Sequence, residues 1–287
     1  MSEGPKALII TVNFQHTDCT LQFLQSASRL ERFGDCHLLI VDNNSGDDSA
    51  ERIEQAIDGF KNVQLLRSPA NRGYFGAAKW ALEQCRVYRG ATDWVIVCNN
   101  DIVFDDPSFL VRLLAHDPQA AGVLAPAIVS SLTGFDANPM ISHRPGGIRR
   151  LRYRFLASSY YVAWLTQWLA PFVRKGRRRL RLREGRPNRR NGQSRIYAPH
   201  GSFFIFSHRY FDEGGFIDDG CFLYAEEISV AETCWQLGLP VLHDPELKVS
   251  HNDSQTTGRR LTRTSYLRQK EGLHYALGKY LESGRGA

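Results

Sequence analysis

The sequence predicts an α/β fold in which a mostly parallel central sheet carries helices on both faces, with a basic insert and a C-terminal helix added to it. Three observations support this. Short apolar, β-branched runs alternate with segments of helical spacing from Ala7 to Asn99; that alternation is the signature of βαβ units. Each run closes on a polar residue or leads into one. From Pro139 to Gly192 the alternation stops and basic residues accumulate.

Taken in order, Ala7 to Asn13 (ALIITVN) reads as a buried parallel strand, because such strands are near-continuous apolar runs. Gln22 to Arg32 has helical spacing, and His37 to Asp42 (HLLIVD) repeats the strand pattern. The following NNSGDDSAERIEQAI supplies turn residues, capping candidates and a helix. Val63 to Arg67 is a third strand, Gly76 to Arg86 a helix and Asp93 to Asn99 (DWVIVCN) a fourth strand. Beyond the insert, Ile196 to Phe206 resumes a strand, Asp218 to Leu237 runs from loop into helix, and Leu239 to Ser250 reads as a strand pair ending at His251. Thr262 to Leu281 has the pattern of an amphipathic helix that packs on the domain or on a partner.

Within a total charge of +6, the stretch from Arg149 to Arg195 holds 15 Lys/Arg and one acid, Glu184, a net +14 that leaves −8 for the remainder. A partner of that stretch is therefore anionic. Leu156 to Val173 reaches only the lower edge of a spanning length, and Ser, Thr, Gln, Tyr and Trp dilute it, so an interfacial helix or arm is expected in place of a span. The six cysteines are scattered with no CxxC spacing, which argues for reduced thiols and against a zinc or redox motif. With no basic and then apolar leader at Met1 to Lys6, the expected location is cytoplasmic, peripheral on the inner face of the plasma membrane if the basic stretch meets lipid.

In sheets of this kind ligands bind beyond the carboxyl ends of the strands. Those ends hold Asn13, Asp42, Asn71-Arg72-Gly73-Tyr74-Phe75-Gly76 and Asn99-Asn100-Asp101. Asp101, just past a strand, suits a hard divalent cation that takes its remaining ligands from diphosphate and water, although Asn-Asn-Asp is also ordinary turn chemistry. Asp42 fits either a base or ribose contact or a helix cap. The glycines at 73 and 76 allow close backbone approach, and Arg72 fits phosphate; a plain turn opening a helix is the other reading. Adjacent carboxylates at Glu226-Glu227 repel, which suits a general base with a raised pKa, yet glutamate pairs are also common at helix starts. His251 fits a metal or phosphate ligand, one among several histidines.

Occurring in this order, and joined by Gly201-Ser202, Phe216-Ile217-Asp218 and Phe222-Leu223-Tyr224-Ala225, these segments resemble the inverting family 2 glycosyltransferases, with their Rossmann-like GT-A type fold, and most of all bacterial rhamnosyltransferase-like members. The likeness covers roughly residues 7 to 135 and 196 to 255. It implies that Asn99-Asn100-Asp101 stands for the DXD motif, that Asp101 and His251 bind Mg2+ or Mn2+, and that Thr11, Asn13, Asp42, Asn71, Arg72, Gly73, Asn99 and Asn100 line the donor nucleotide site. Glu227 takes the base position and Glu226 a supporting one. Ser229 and Thr233 depart from the family's usual acidic and basic residues, so acceptor recognition transfers less well than donor binding. The implied partners are a dTDP- or UDP-linked sugar, rhamnose first, and a saccharide or lipid-linked saccharide acceptor in surface polysaccharide synthesis; outside the likeness, the basic and aromatic residues of 149–195 fit anionic membrane, the other reading being a disordered insert with no specific partner.

Four segments follow: 1–138 and 196–258 as the donor and acceptor halves of one catalytic domain, 139–195 as the basic insert and 259–287 as the C-terminal helix and tail. A nucleic-acid- or anionic-membrane-binding protein on a degenerate nucleotide fold is the alternative. No helix-turn-helix, RNA-recognition or zinc motif supports the nucleic-acid form. A nucleotidyltransferase would need a glycine-rich, lysine-containing segment after the first strand, and Asn13-Phe14-Gln15-His16 is not one.

Overall fold

The computed structural model describes residues 5–85, 92–161, 192–252 and 262–282. The four opening strands fall within a residue of expectation: β1 (Ala7–Asn13), β2 (Cys36–Asp42), β3 (Val63–Arg67) and β4 (Trp94–Asn99). They are followed by β5 (Ile102–Val103), β6 (Val123–Ser130), β7 (Ser194–Ile196), β8 (Phe203–Ser207) and β9 (Val241–His251). The helices are α1 (Thr17–Ala27), α2 (Ser49–Ala56), α3 (Gly73–Gln84), α4 (Phe109–Leu114), α5 (Gly147–Ser158), α6 (His208–Asp212), α7 (Glu226–Gln236) and α8 (Arg263–Ala276), the last continuing as a π-helical turn over Leu277–Glu282.

Among the described residues one sheet runs in the order β3-β2-β1-β4-β8-β6-β9-β5, with β7 also on β9. The β3-β2-β1-β4 half is parallel throughout. Beyond it β8 runs antiparallel to β4 and β6, and β6 then pairs in parallel with β9. Alternate strand residues face two cores. Ile9, Leu38, Ile96 and Phe203 meet α1, α2 and α4 on one side, while Ile10, Leu39, Val97 and Phe204 meet α3, Tyr210 and α7 on the other.

Several boundaries differ from those read in the sequence. α1 begins at Thr17 and not near Gln22, because Cys19, Thr20, Phe23, Leu24 and Ala27 form the buried stripe. α3 begins at Gly73, three residues early, on a glycine at φ +71°. The Ile196–Phe206 run is two strands, β7 and β8, separated by the loop that holds His200 and Gly201. The expected strand pair at 239–250 is one strand, β9, in which the register slips from Pro126↔Asp244 to Ala127↔Lys248; Pro245, which lacks an N–H, sits in that bulge. The insert contributes α5, and most of the Leu156–Val173 segment lies outside the described residues. All six cysteines are buried and free, as expected. No helix among the described residues is long and apolar enough to cross a membrane.

Candidate active site

The parallel half of the sheet delivers its polar strand ends to one edge. Asn13 Nδ2 donates to Asp42 Oδ1 (3.1 Å) and to Ser45 Oγ (3.2 Å), while Asn13 Oδ1 accepts from Thr20 Oγ1 (2.8 Å). Asp42 also accepts from the Ser45 amide at 3.3 Å. Asn100 donates to Thr20 Oγ1 (2.9 Å) and to the His16 carbonyl (3.3 Å), so its amide braces the turn after β4 from beneath. Thr11 lies deeper than the expected lining. It is fully buried within β1, opposite Cys98 and Ile40.

The Asn71–Gly73 turn is held by Asn43, which donates to Asn71 Oδ1 (3.0 Å) and the Gly73 carbonyl (3.1 Å) and accepts from the Arg72 amide (2.9 Å). Arg72 remains exposed beside this turn, its guanidinium 5.6 Å from the Trp80 ring. Gly73 is required twice over. Its φ is positive, and a Cβ there would lie 2.2 Å from the Phe222 carbonyl oxygen.

Asp101 and His251 meet because β5 pairs with the end of β9, placing Ile102 opposite His251. Asp101 Oδ1 is 3.1 Å from His251 Nε2, and both residues are buried. His200, from the loop before β8, packs edge-on against His251 with ring centroids 5.9 Å apart. No group of three or more His, Cys, Asp or Glu side chains among the described residues is arranged to hold a metal. One carboxylate and one imidazole do fit Mg2+ or Mn2+, which bind through one or two protein ligands and fill the remaining positions with phosphate oxygens and water. Asn99 stands at the β4 end, where its amide donates to the Ser202 carbonyl at 2.9 Å.

Glu226 and Glu227 open α7. Glu226 is buried, and Glu227 rests against Gly201, where a Cβ would lie 2.5 Å from Oε1. Burial raises the pKa of both, and the charge of Glu227 raises Glu226 further. The two glutamates and Asp101 act on one neighbour, Tyr74. Burial foremost, and after it the fields of Cys98, Glu226, Asp101 and Glu227, hold its proton on well above the usual phenol range. Its hydroxyl is buried with no hydrogen-bond partner among the described residues. One turn beyond the glutamates, α7 is pinned by Glu232, which accepts a two-pronged Arg144 guanidinium at 2.8 and 2.7 Å and the Tyr197 hydroxyl at 2.5 Å.

The loop before α7 is held by the C-terminal helix. Asp218 accepts from Tyr275 (2.8 Å), Lys279 (3.0 Å) and Tyr280 (2.5 Å), while Arg268 lies 4.1 Å from the Phe222 ring centroid. Gly272 packs so closely that a Cβ would meet the Leu223 carbonyl at 2.7 Å. Thr20, Ser45, Asn43 and His200 therefore stand at the site without having been singled out from sequence, and Tyr74 was named there only within its segment. Small polar residues inside helices and turns give no signal until the fold brings them together.

The glycosyl transferase family 2 model matches residues 8–228 of the chain. Over 232 residues, 77% of this chain and 68% of the relative, the sequence is 26% identical to the N-acetylglucosaminyl-diphospho-decaprenol L-rhamnosyltransferase of Mycobacterium tuberculosis. In fold it is similar to GalNAc-T7, solved with UDP, GalNAc and Mn2+, at a TM-score of 0.60 and 12% identity, over 97% of this chain and 48% of that one. It is also similar to the mannosyltransferase PcManGT of Pyrobaculum calidifontis, solved with GDP-Man and Mn2+, at a TM-score of 0.50 and 15% identity, over 90% of this chain and 59% of that one. Both solved proteins are longer, and this chain spans less than two thirds of either. The family match starts in β1 and continues past the paired glutamates, so it takes in both edges of the site, and the chain belongs to glycosyltransferase family 2.

Proposed function

We propose that the protein is an inverting, metal-dependent transferase that moves a sugar, rhamnose first among candidates, from a dTDP- or UDP-linked donor to a hydroxyl of a lipid-linked saccharide. The observation that carries this reading is the buried Asp101–His251 pair at 3.1 Å just past the β4 end, with Glu227 seated against Gly201 at the start of α7. The M. tuberculosis relative's name supports the choice of sugar and lipid-linked acceptor. Residues 1–138 supply the donor site, with Asp42 facing the nucleoside and Arg72 the diphosphate. Residues 196–258 supply the base.

In this mechanism the acceptor oxygen attacks the anomeric carbon from the face opposite the diphosphate, and the configuration inverts. The bond to the diphosphate breaks with its electron pair on the departing oxygen, while the hydroxyl proton passes to Glu227. Burial holds the Glu227 pKa up, so that it takes a proton readily, and Glu226 stands beside it in a supporting position. Mg2+ or Mn2+ on Asp101 and His251 would neutralise charge developing on the diphosphate. Gly73 and Asn71 shape the turn against which the diphosphate lies.

The test is a panel of nucleotide sugars with Mg2+ or Mn2+, read by thermal shift and by release of free nucleoside diphosphate. One donor should stabilise the protein and be slowly hydrolysed, and both effects should vanish with chelator and with Asp101→Ala. Absence of any stabilisation by nucleotide sugars or diphosphates in the presence of metal would refute the donor site.

A further inference from the structure

Helix α5 (GIRRLRYRFLAS) carries the polarity of an ordinary surface helix in reverse. Arg150, Tyr153 and Ala157 share one side at helical spacing, and that side faces the C-terminal helix. Arg150 donates to the Leu281 carbonyl, Tyr153 packs on the cluster containing Leu277 and Leu281, and the Tyr266 hydroxyl donates to the Ala157 carbonyl. The opposite side presents Ile148, Leu151 and Phe155, which are 90%, 65% and 59% exposed. Exposed Arg149, Arg152 and Arg154 border this apolar stripe. A helix facing only water turns its apolar side chains inward; three large ones in an outward row mark a binding face.

Charge selects the occupant. The stripe opens the stretch in which 15 Lys/Arg stand against one acid, so the partner is anionic. A nucleic acid would satisfy the arginines and leave the apolar row in water. A lipid surface accepts both, with the apolar side chains at the acyl boundary and the guanidinium groups among the phosphates. We propose that α5 docks on an anionic lipid surface, Ile148, Leu151 and Phe155 entering the headgroup boundary and Arg149 and Arg152 meeting lipid phosphates, while Arg154 stays paired with Glu282. Docking of this kind asks nothing of the transfer site, so vesicle binding and sugar transfer can fail separately.

The full-length protein, without donor or acceptor, is mixed with phosphatidylcholine vesicles with or without about one third phosphatidylglycerol and then sedimented. Wild type should pellet only with the anionic vesicles. The bound fraction should fall at least about fivefold for Ile148→Glu/Leu151→Glu/Phe155→Glu, whose melting midpoint should hold within a few degrees because the three side chains are exposed. Equal binding by wild type and variant overturns the proposal and assigns any lipid attachment to basic residues outside α5. A wild type that stays in the supernatant overturns it as well; if that protein is a dimer which the triple variant dissolves, the face is a contact between copies. Retention by duplex DNA but not by vesicles overturns it in favour of nucleic acid.

Discussion

Carboxylates in the first turn of a helix ordinarily gain from its N-terminal dipole, yet burial outweighs that gain at Glu226 and Glu227 and raises both pKa values. A base must be unprotonated to act, so activity should climb as pH rises through these raised values, and the acidic limb of kcat/KM should lie above the ordinary glutamate range. The Glu227 charge raises Glu226 and burial alone raises Glu227, so Glu226→Gln should leave that limb in place; a limb that moves to lower pH would make Glu226 the titrating base. Glu227→Gln should lower turnover by about 10² to 10⁴-fold while donor-induced thermal stabilisation persists. Gly201→Ala separates geometry from folding. Its Cβ would displace the far end of the flexible Glu227 side chain, so turnover should drop roughly tenfold to a hundredfold with little change in melting temperature. Gly73→Ala instead meets the backbone carbonyl of Phe222 at positive φ and should cost about 1–3 kcal/mol in a denaturation curve. The places of Asp42, Asp101, Glu227 and His251 at strand and helix ends were legible in sequence, because a polar residue that closes an apolar run is conspicuous. His200 and Thr20 were not, since each matters only through the His251 ring or the Asn13 and Asn100 amides that it meets.

α8 and its π-helical turn, which lie beyond the family match at residue 228, grip the loop that leads into α7. Burial alone would raise the Asp218 pKa, but donors from Tyr280, Lys279 and Tyr275 outweigh it and the pKa falls. The sign for stability follows: a depressed carboxylate pKa stabilises the fold above the ordinary range, and that contribution fades as pH drops through the folded-state value. Asp218→Asn should cost about 1–3 kcal/mol, speed hydrogen exchange across 263–282 and reduce turnover, with donor-induced stabilisation retained. Unchanged exchange there would mean that the contacts with α5 and the apolar cluster hold the helix without Asp218. Sequence periodicity found α8 but could not say what it packs on, because a 3.6-residue pattern identifies a buried face and not its partner. β1 to β4 were legible as apolar runs ending in polar residues. The antiparallel course of β8 was not, because direction follows from connections and leaves no trace in composition. The strand pair read over Leu239 to Ser250 became one bulged strand because pairing with β6 continues on both sides of Asp244-Pro245.

At the scale of the whole molecule, charge and contact run in the same direction. α5 holds the C-terminal helix through Arg150 to Leu281 and Arg154 to Glu282, that helix holds Asp218, and the Asp218 loop runs into Glu226 and Glu227. The proposed lipid-facing helix is therefore connected through packed elements to the helix that opens with Glu226 and Glu227, and its link to β1–β4 runs through the sheet. The exposed Arg149 and Arg152 of α5 would draw that helix toward an anionic surface before contact. Two forces then act at one surface and respond differently to salt. Attraction between exposed charges is screened as the Debye length shrinks from about 10 Å at 0.1 M to about 3 Å at 1 M, whereas burial of Ile148, Leu151 and Phe155 is not weakened by added salt. Raising salt from roughly 0.05 to 0.5 M should thus reduce the fraction of wild-type protein on anionic vesicles without abolishing it. The Ile148→Glu/Leu151→Glu/Phe155→Glu variant should lose its residual binding completely over the same range. If wild type and variant release together at the same salt concentration, the arginines act alone and the apolar row of α5 contributes nothing to docking.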